Sequence, residues 1–165
     1  MVQLQREEMV MRMGFPLLVA IVLVVVSAGC IDPQDRRPGL RLGGEVVKRI
    51  PSEWNFTNEY KEIAIEVKTP YLLPHSVTIS CAVADGRLYV AARNPNSKRW
   101  PGWVDRDPDV RLGIGEGVYE MRLVPLDDLN QVESVRRAYA RKYDRPDARP
   151  EGGPPIRYWL VEPRG

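Results

Sequence analysis

The sequence predicts a mainly β domain, a small antiparallel barrel of about six strands with one amphipathic helix and a short helical crossover. Three observations predict it. Several short runs alternate apolar and polar residues, which is the period of a half-buried strand. The 165 residues include 15 prolines and 13 glycines, which favour turns over long helices. Only one stretch, near the C-terminus, repeats its apolar residues at helical spacing.

The first part of the predicted sheet is a strand followed by a hairpin. Residues 61–68 (KEIAIEVK) place Ile and Val at every second position. Residues 76–84 (SVTISCAVA) predict a second strand, and residues 87–93 (RLYVAAR) predict its partner. Asp85-Gly86 between them is a strong signal for a two-residue hairpin turn. These runs therefore predict three consecutive antiparallel strands.

The rest of the domain follows the same rules. A polar connection at residues 94–108 contains a predicted short helix at 100–106. Apolar residues at helical spacing predict an amphipathic helix over 128–143, with Asp127 as its N-cap. The remaining predicted strands are an edge strand at 45–50, a second hairpin formed by 110–114 and 118–124, and a closing strand at 156–162.

The N-terminal region predicts export. Residues 15–26 (FPLLVAIVLVVV) are uncharged and too short for a typical membrane span. Ser27-Ala28-Gly29-Cys30 follows, and the segment resembles a bacterial lipoprotein signal that ends in an acylated cysteine. The resemblance implies a signal peptide at 1–29, a lipidated Cys30 with a flexible tether at 30–44, and the barrel domain at 45–165. An uncleaved membrane anchor is the alternative.

Lipidation of Cys30 would attach the protein to a membrane of the bacterial cell envelope, on its extracytoplasmic or periplasmic face. Ile31 follows the cysteine where an inner-membrane retention signal has aspartate, so a Gram-negative cell would carry the protein in its outer membrane. The start of translation stays open among Met1, Met9, Met11 and Met13. Cys81 is then a lone thiol, which we expect to be buried and inert.

Composition excludes several classes of function. Lys and Arg number 24 against 22 Asp and Glu, and a net charge of +2 is too small for an electrostatic nucleic-acid binder. One histidine and two cysteines supply neither a disulfide scaffold nor a zinc-finger ligand set. We therefore expect no nucleic-acid partner and no metal site.

Four short motifs resemble those of a known family. They are HSVTIS from His75, DGRLYV from Asp85, SKRWPGWV from Ser97 and DPDVRLGI from Asp107. In this order they resemble the split β-barrel family, which includes pyridoxamine-phosphate-oxidase-like flavoproteins and deazaflavin-dependent nitroreductases. The resemblance implies a six-stranded antiparallel split β-barrel that forms a homodimer and binds a flavin-type cofactor at the dimer interface.

The resemblance also implies where a cofactor would bind. The family's phosphate-binding turn corresponds to Ser97, Lys98, Arg99 and Trp100, whose hydroxyl, ammonium and guanidinium groups suit phosphate oxygens. Trp100 or Trp103 would stack on a ring, and the sole histidine, His75, would contact phosphate or substrate. A solvated turn, with the tryptophans covering the barrel mouth, is the alternative.

Residues 69–75 (TPYLLPH) lack the glycines and the arginine that deazaflavin enzymes carry before this strand. Flavin mononucleotide (FMN) is therefore the expected cofactor rather than deazaflavin, and a site that has lost its cofactor stays open. No catalytic residue is identified. The first hypothesis is a flavin-dependent oxidoreductase acting on a small substrate. The alternative is a non-enzymatic envelope lipoprotein that binds a small anionic ligand or a protein partner.

Overall fold

Seven antiparallel strands and one short parallel strand form one curled sheet in the computed structural model, which describes residues 31–34, 37–145 and 153–164. The strands are β1 (Glu45–Val46), β2 (Ile63–Val67), β3 (His75–Ile79), β4 (Cys81–Ala84), β5 (Arg87–Arg93), β6 (Asp109–Ile114), β7 (Gly117–Pro125) and β8 (Ile156–Pro163). Their order is β3-β2-β6-β7-β8-β5-β4, and β1 pairs in parallel with β7. The helices are α1 (Arg99–Val104) and α2 (Leu129–Lys142), with 3-10 turns at Asn55–Glu59 and Pro95–Ser97.

The predicted strand at 76–84 is in fact two strands, so the antiparallel strands number seven instead of six. β3 pairs with β2 and β4 pairs with β5, at opposite ends of the strand order. Only Ser80 separates them in the chain, so the sheet must curl until its two ends meet there. The apolar alternation runs through Ser80 without a break, and this change of pairing partner therefore leaves no mark in the sequence.

The hairpin predicted at Asp85-Gly86 is confirmed. Asp85 and Gly86 have φ angles of 51° and 73°, which is the left-handed pair that a tight turn between twisted strands requires. The second predicted hairpin is also present, since β6 pairs with β7 from Asp109–Arg122 to Ile114–Gly117. Gly115 in its turn has a φ of 59°, a conformation that favours glycine.

The main core fills the inside of the curled sheet. Trp159, Ile65, Leu88, Leu112 and Met121 are among its fully buried side chains. A second cluster packs between the outside of the sheet and α2, and includes Tyr89, Val135, Ala138, Tyr158 and Leu160. Two apolar clusters on the two faces of the sheet explain why consecutive residues of β4, β5 and β8 are buried.

Helix α2 agrees with the predicted span of 128–143, but its N-cap is Asp128 and not Asp127. The Asp128 carboxylate accepts hydrogen bonds from the amides of Asn130 (2.8 Å) and Gln131 (3.2 Å). Tyr139 reaches the break between β3 and β4, where its hydroxyl lies 3.1 Å from the carbonyl oxygen of Ser80. The helix therefore covers the point at which the sheet changes direction.

The segment before the sheet contacts it at two residues. Gly39 and Ser76 exchange backbone hydrogen bonds of 2.8 and 3.1 Å. Leu42 is buried, and its amide donates to a carboxylate oxygen of Glu66 at 2.7 Å. The predicted edge strand at 45–50 is shorter, since only Glu45–Val46 pairs with β7. The domain boundaries after residues 29 and 44 stay predictions.

The predicted signal peptide at 1–29 and Cys30 lie outside the described residues. Among the residues that are described, no helix has both the length and the apolar character needed to cross a bilayer.

Candidate functional site

The predicted phosphate-binding turn leads directly into α1. Asn94 adopts a left-handed conformation (φ 52°, ψ 59°), and the 3-10 turn Pro95–Ser97 follows it. The Ser97 hydroxyl donates to the carbonyl of Asn94 at 2.8 Å, which stabilises the turn and leaves the oxygen's lone pairs as acceptors. The side chains of Lys98 and Arg99 are exposed at the start of α1. Their cationic groups therefore face solvent.

Trp100 lies in the core. It is 4% exposed, and its ring centroid is 5.2 Å from that of Trp159, the fully buried tryptophan of β8. A ring in this position has no free face for a ligand. For Trp100, this arrangement matches the alternative prediction, in which the tryptophans cover the barrel mouth instead of stacking on a cofactor.

Trp103 lies one helical turn further and faces a different environment. Its ring meets the imidazole of His75 edge to face at 5.0 Å, and the ring of Tyr71 in the same way at 6.2 Å. Trp103 also lines a surface cavity of about 450 Å³, within the range of small-molecule sites. We call this the Trp103 cavity.

His75 and Arg99 are brought together from β3 and α1. Burial lowers the pKa of His75 below its usual value, and the positive charge of Arg99 lowers it further. The imidazole is therefore neutral at pH 7, with one nitrogen that donates a hydrogen bond and one that accepts. His75, Arg99 and Trp103 thus form one group of neighbouring side chains, whereas Trp100 is directed into the core.

Several residues of the Trp103 cavity were not predicted from the sequence. Lys68 and Asp107 form an ion pair of 2.8 Å at its edge, and the hydrogen bond from Lys68 is the main reason that the pKa of Asp107 is lowered. Arg106 lies in the turn after α1, where its amide donates to the carbonyl of Trp103 at 3.1 Å. Arg41 is far away in sequence, and no local pattern marks it. The full lining is Arg41, Glu66, Lys68, Thr69, Pro70, Leu72, Leu73, Pro74, Trp103, Arg106 and Asp107.

No group of histidine, cysteine, aspartate or glutamate side chains within the described ranges is arranged to hold a metal ion. Cys81 is buried, as expected. The amine of Lys142 lies 3.3 Å from its sulfur, but burial is the larger effect and raises the pKa of the thiol. This thiol is therefore held in its protonated, unreactive form.

No protein-family model matches the chain, and no curated protein matches it in sequence. Among solved structures, the chain is similar to the conserved hypothetical protein Rv2991 from Mycobacterium tuberculosis. The TM-score is 0.55 at 15% identity, covering 72% of this chain and 87% of that one. The two proteins therefore share a fold, and at this identity the likeness shows the fold alone.

Two further solved structures are more distant. A FAD-binding protein from Mesorhizobium loti aligns with a TM-score of 0.46 and 16% identity, over 66% of this chain and 82% of that one. A NimC/NimA family protein from Clostridium acetobutylicum aligns with a TM-score of 0.47 and 14% identity, over 67% and 82%. No conclusion about this chain follows from likenesses at that level.

The side chains present fit one part of a flavin nucleotide. Lys98 and Arg99 are exposed cations whose N–H groups match the oxygens of a phosphate group, whereas the Ser97 hydroxyl already donates to the carbonyl of Asn94. Few side chains are available to stack on the flavin ring system, because Trp100 is in the core and Trp103 is only 9% exposed. The exposed cations thus fit the phosphate group of a ligand. Trp103 could border the rest of that ligand but exposes too little of its ring to stack on it.

Proposed function

We propose that this protein is a lipid-anchored barrel that binds a small phosphate-bearing ligand of the flavin mononucleotide class beside Trp103. The observation that carries the proposal is the convergence of Arg99, His75 and Trp103 next to a cavity of about 450 Å³. Exposed Lys98 and Arg99 would pair with the phosphate, and neutral His75 would donate one hydrogen bond. Trp103 would border the ring.

The depressed pKa of His75 supports an anion at this position. Burial is the larger cause of the lowered pKa and the positive charge of Arg99 lowers it further; an anion between the two side chains would offset this second effect. The local electrostatics therefore favour a negatively charged ligand over a neutral one. If that ligand is a flavin, hydride or electron transfer would be its own chemistry, and the protein would supply position and electrostatics.

The proposal includes the location and assembly of the protein. Lipid on Cys30 would hold it on the extracytoplasmic face of a bacterial membrane. A homodimer would complete the cofactor site, as the family resemblance implies. Export of an unfolded chain means that the ligand would be acquired outside the cytoplasm.

A second candidate is favoured by the position of Trp100. Because this ring packs against Trp159 in the core, one of the two predicted stacking residues is occupied. A barrel with this feature would bind an anionic ligand without flavin chemistry, as a non-enzymatic envelope lipoprotein. Phosphate-bearing ligands that lack a ring system would then bind with the same affinity as FMN.

Calorimetric titration of FMN into the full chain in detergent separates these functions. We expect Arg99→Ala to weaken binding by about 1.5–3 kcal/mol, the range for hydrogen bonds to charged groups. Arg137→Ala, which removes an exposed cation on α2, is the matched control and should leave affinity unchanged. Inorganic phosphate competing as well as FMN would favour the non-enzymatic candidate. If Arg99→Ala and the unchanged chain bind FMN with equal affinity, Arg99 does not bind the phosphate and this site is excluded.

The anchor has an independent test. Cys30→Ala should accumulate as an unprocessed precursor, because lipoprotein processing requires the acylated cysteine. The measurement is the mass of the protein isolated from membranes. A correctly cleaved, soluble Cys30→Ala product would indicate an ordinary signal peptide instead.

A further inference from the structure

The exposed apolar side chains are concentrated in one region. Eight large hydrophobic residues are exposed in the described part of the chain, and five of them fall in two segments, 31–40 and 71–73. Single exposed apolar residues are ordinary, but a cluster marks an interaction surface. We call this cluster the apolar rim; its members are Ile31, Leu40, Tyr71, Leu72 and Leu73.

Hydrogen bonds hold the two segments of the apolar rim side by side. The amide of Leu40 donates to the carbonyl of Ile31 at 2.8 Å, and the preceding residue, Gly39, pairs with Ser76. A Cβ at Gly39 would collide with Ile31 and with the Ser76 hydroxyl, so glycine is required for this close approach. Arg41, two residues further along, and Pro74 then line the same cavity, at the end of the loop at 69–74.

The loop at 69–74 presents Leu72 in a fixed position. Leu72 is 95% exposed and has a φ of 64°, which is uncommon for a residue other than glycine. The Thr69 hydroxyl donates to the carbonyl of Leu73 at 2.7 Å and accepts from the amide of Tyr71 at 3.2 Å. The hydrogen bonds within the loop thus keep the Leu72 side chain exposed, where a binding partner can contact it.

Positive charge adjoins the apolar rim. Arg41 and Arg106 line the Trp103 cavity together with Leu72 and Leu73, and no carboxylate among the described residues forms an ion pair with either arginine. The acidic groups of this cavity are already paired, Asp107 with Lys68 and Glu66 with Arg111. The surface is therefore apolar at its tip and cationic behind it.

That combination matches the interface of an anionic membrane, where apolar side chains enter the acyl region and arginines meet lipid phosphates. The position of the anchor points to the same partner. Ile31 directly follows Cys30, and the Ile31 carbonyl is hydrogen-bonded within this surface. A lipid on Cys30 would therefore place the apolar rim at the bilayer, with no linker residues between the lipidated cysteine and Ile31.

We propose that the apolar rim and its two arginines rest on the anionic membrane in which Cys30 is anchored, so that the Trp103 cavity opens at the headgroup layer. This inference rests on the proposed lipid anchor. It goes beyond that anchor because it fixes the orientation of the barrel and gives its cavity access to ligands held at the membrane surface. A second copy of the chain is the competing occupant of the apolar rim.

The test uses the full chain in vesicles of phosphatidylcholine and phosphatidylglycerol, with a fluorophore on Leu72→Cys. Quenching by lipids brominated near the headgroup reports contact with the membrane. The matched control is Leu129→Cys, a leucine at the start of α2 that is also highly exposed (83%). We expect the label at 72 to be quenched about threefold more strongly than the label at 129. Arg41→Glu with Arg106→Glu should reduce that difference.

The outcomes separate the two proposals. A chain that does not float with the vesicles contradicts the anchor itself. A chain that floats while both labels are quenched equally overturns the membrane contact and leaves the anchor standing. A label at 72 that is shielded only at high protein density, without lipid quenching, overturns the membrane contact in favour of a second copy. The unlabelled thiols are controlled by the parent chain, in which Cys81 is buried.

Discussion

Removing the carboxylate of Glu66 should destabilise the protein more than any surface substitution. Glu66 is 9% exposed and accepts two hydrogen bonds of 2.7 Å, one from the guanidinium of Arg111 and one from the amide of Leu42. Glu66→Ala strands the charge of Arg111, which is itself only 12% exposed. Breaking a buried pair on one side costs about 3–5 kcal/mol. It also frees the segment that carries Arg41.

Urea unfolding of the full chain in detergent, followed by tryptophan fluorescence, measures the loss. With a slope of about 2 kcal/mol per M, the midpoint should fall by about 2 M. Glu66→Ala combined with Arg111→Met should recover most of the stability, because no charge is then left unpaired. Glu133→Ala breaks an exposed ion pair with Arg136 and should leave the midpoint unchanged. An unchanged midpoint for Glu66→Ala, or a double variant no more stable than the single one, would show that the buried Glu66–Arg111 pair does not stabilise the fold.

Three further predictions test the local chemistry. His75 is the only histidine, so one imidazole NMR signal reports it; its pKa should lie below 6.5 and rise in Arg99→Gln. Since the unfolded chain binds that proton more readily, stability should be complete above pH 6.5 and decline as the pH falls through the folded pKa; a stability that rises on acidification over this range would contradict it. Cys81 should not react with a thiol reagent at pH 8 until urea unfolds the protein, and reaction at the rate of a free thiol would show an open site. Asp128→Ala should lower the free energy of unfolding by about 1 kcal/mol while Asp127→Ala has no effect, and the reverse order would return the N-cap to Asp127.

Local signals predicted most of the fold. Alternation marked the strands, Asp85-Gly86 marked a turn that requires positive φ angles, and helical spacing marked α2. The break at Ser80 was missed because it depends on which strands β3 and β4 pair with, and both halves alternate in the same way. Such a change of partner is a tertiary property.

The candidate site was predicted in part. Ser97, Lys98 and Arg99 lie together in the exposed turn at the start of α1, and their binding of an anion stays a prediction, but sequence could not tell which neighbours each tryptophan of α1 contacts. Trp100 and Trp103 are three residues apart, and only the packing against Trp159 and His75 distinguishes them. Arg41 was placed in a tether, and it reaches the cavity through the pairing of Gly39 with Ser76.

The most direct test of the proposed ligand site is the imidazole signal of His75 as FMN is added to the full chain. Burial and, to a smaller extent, the charge of Arg99 lower the pKa of His75, and an anion beside Arg99 would offset the second effect. We expect saturating FMN to shift the His75 signal and raise its pKa, and Arg99→Ala to abolish the response. An unmoved signal at FMN concentrations that saturate binding would place the ligand elsewhere and contradict a phosphate site beside Arg99.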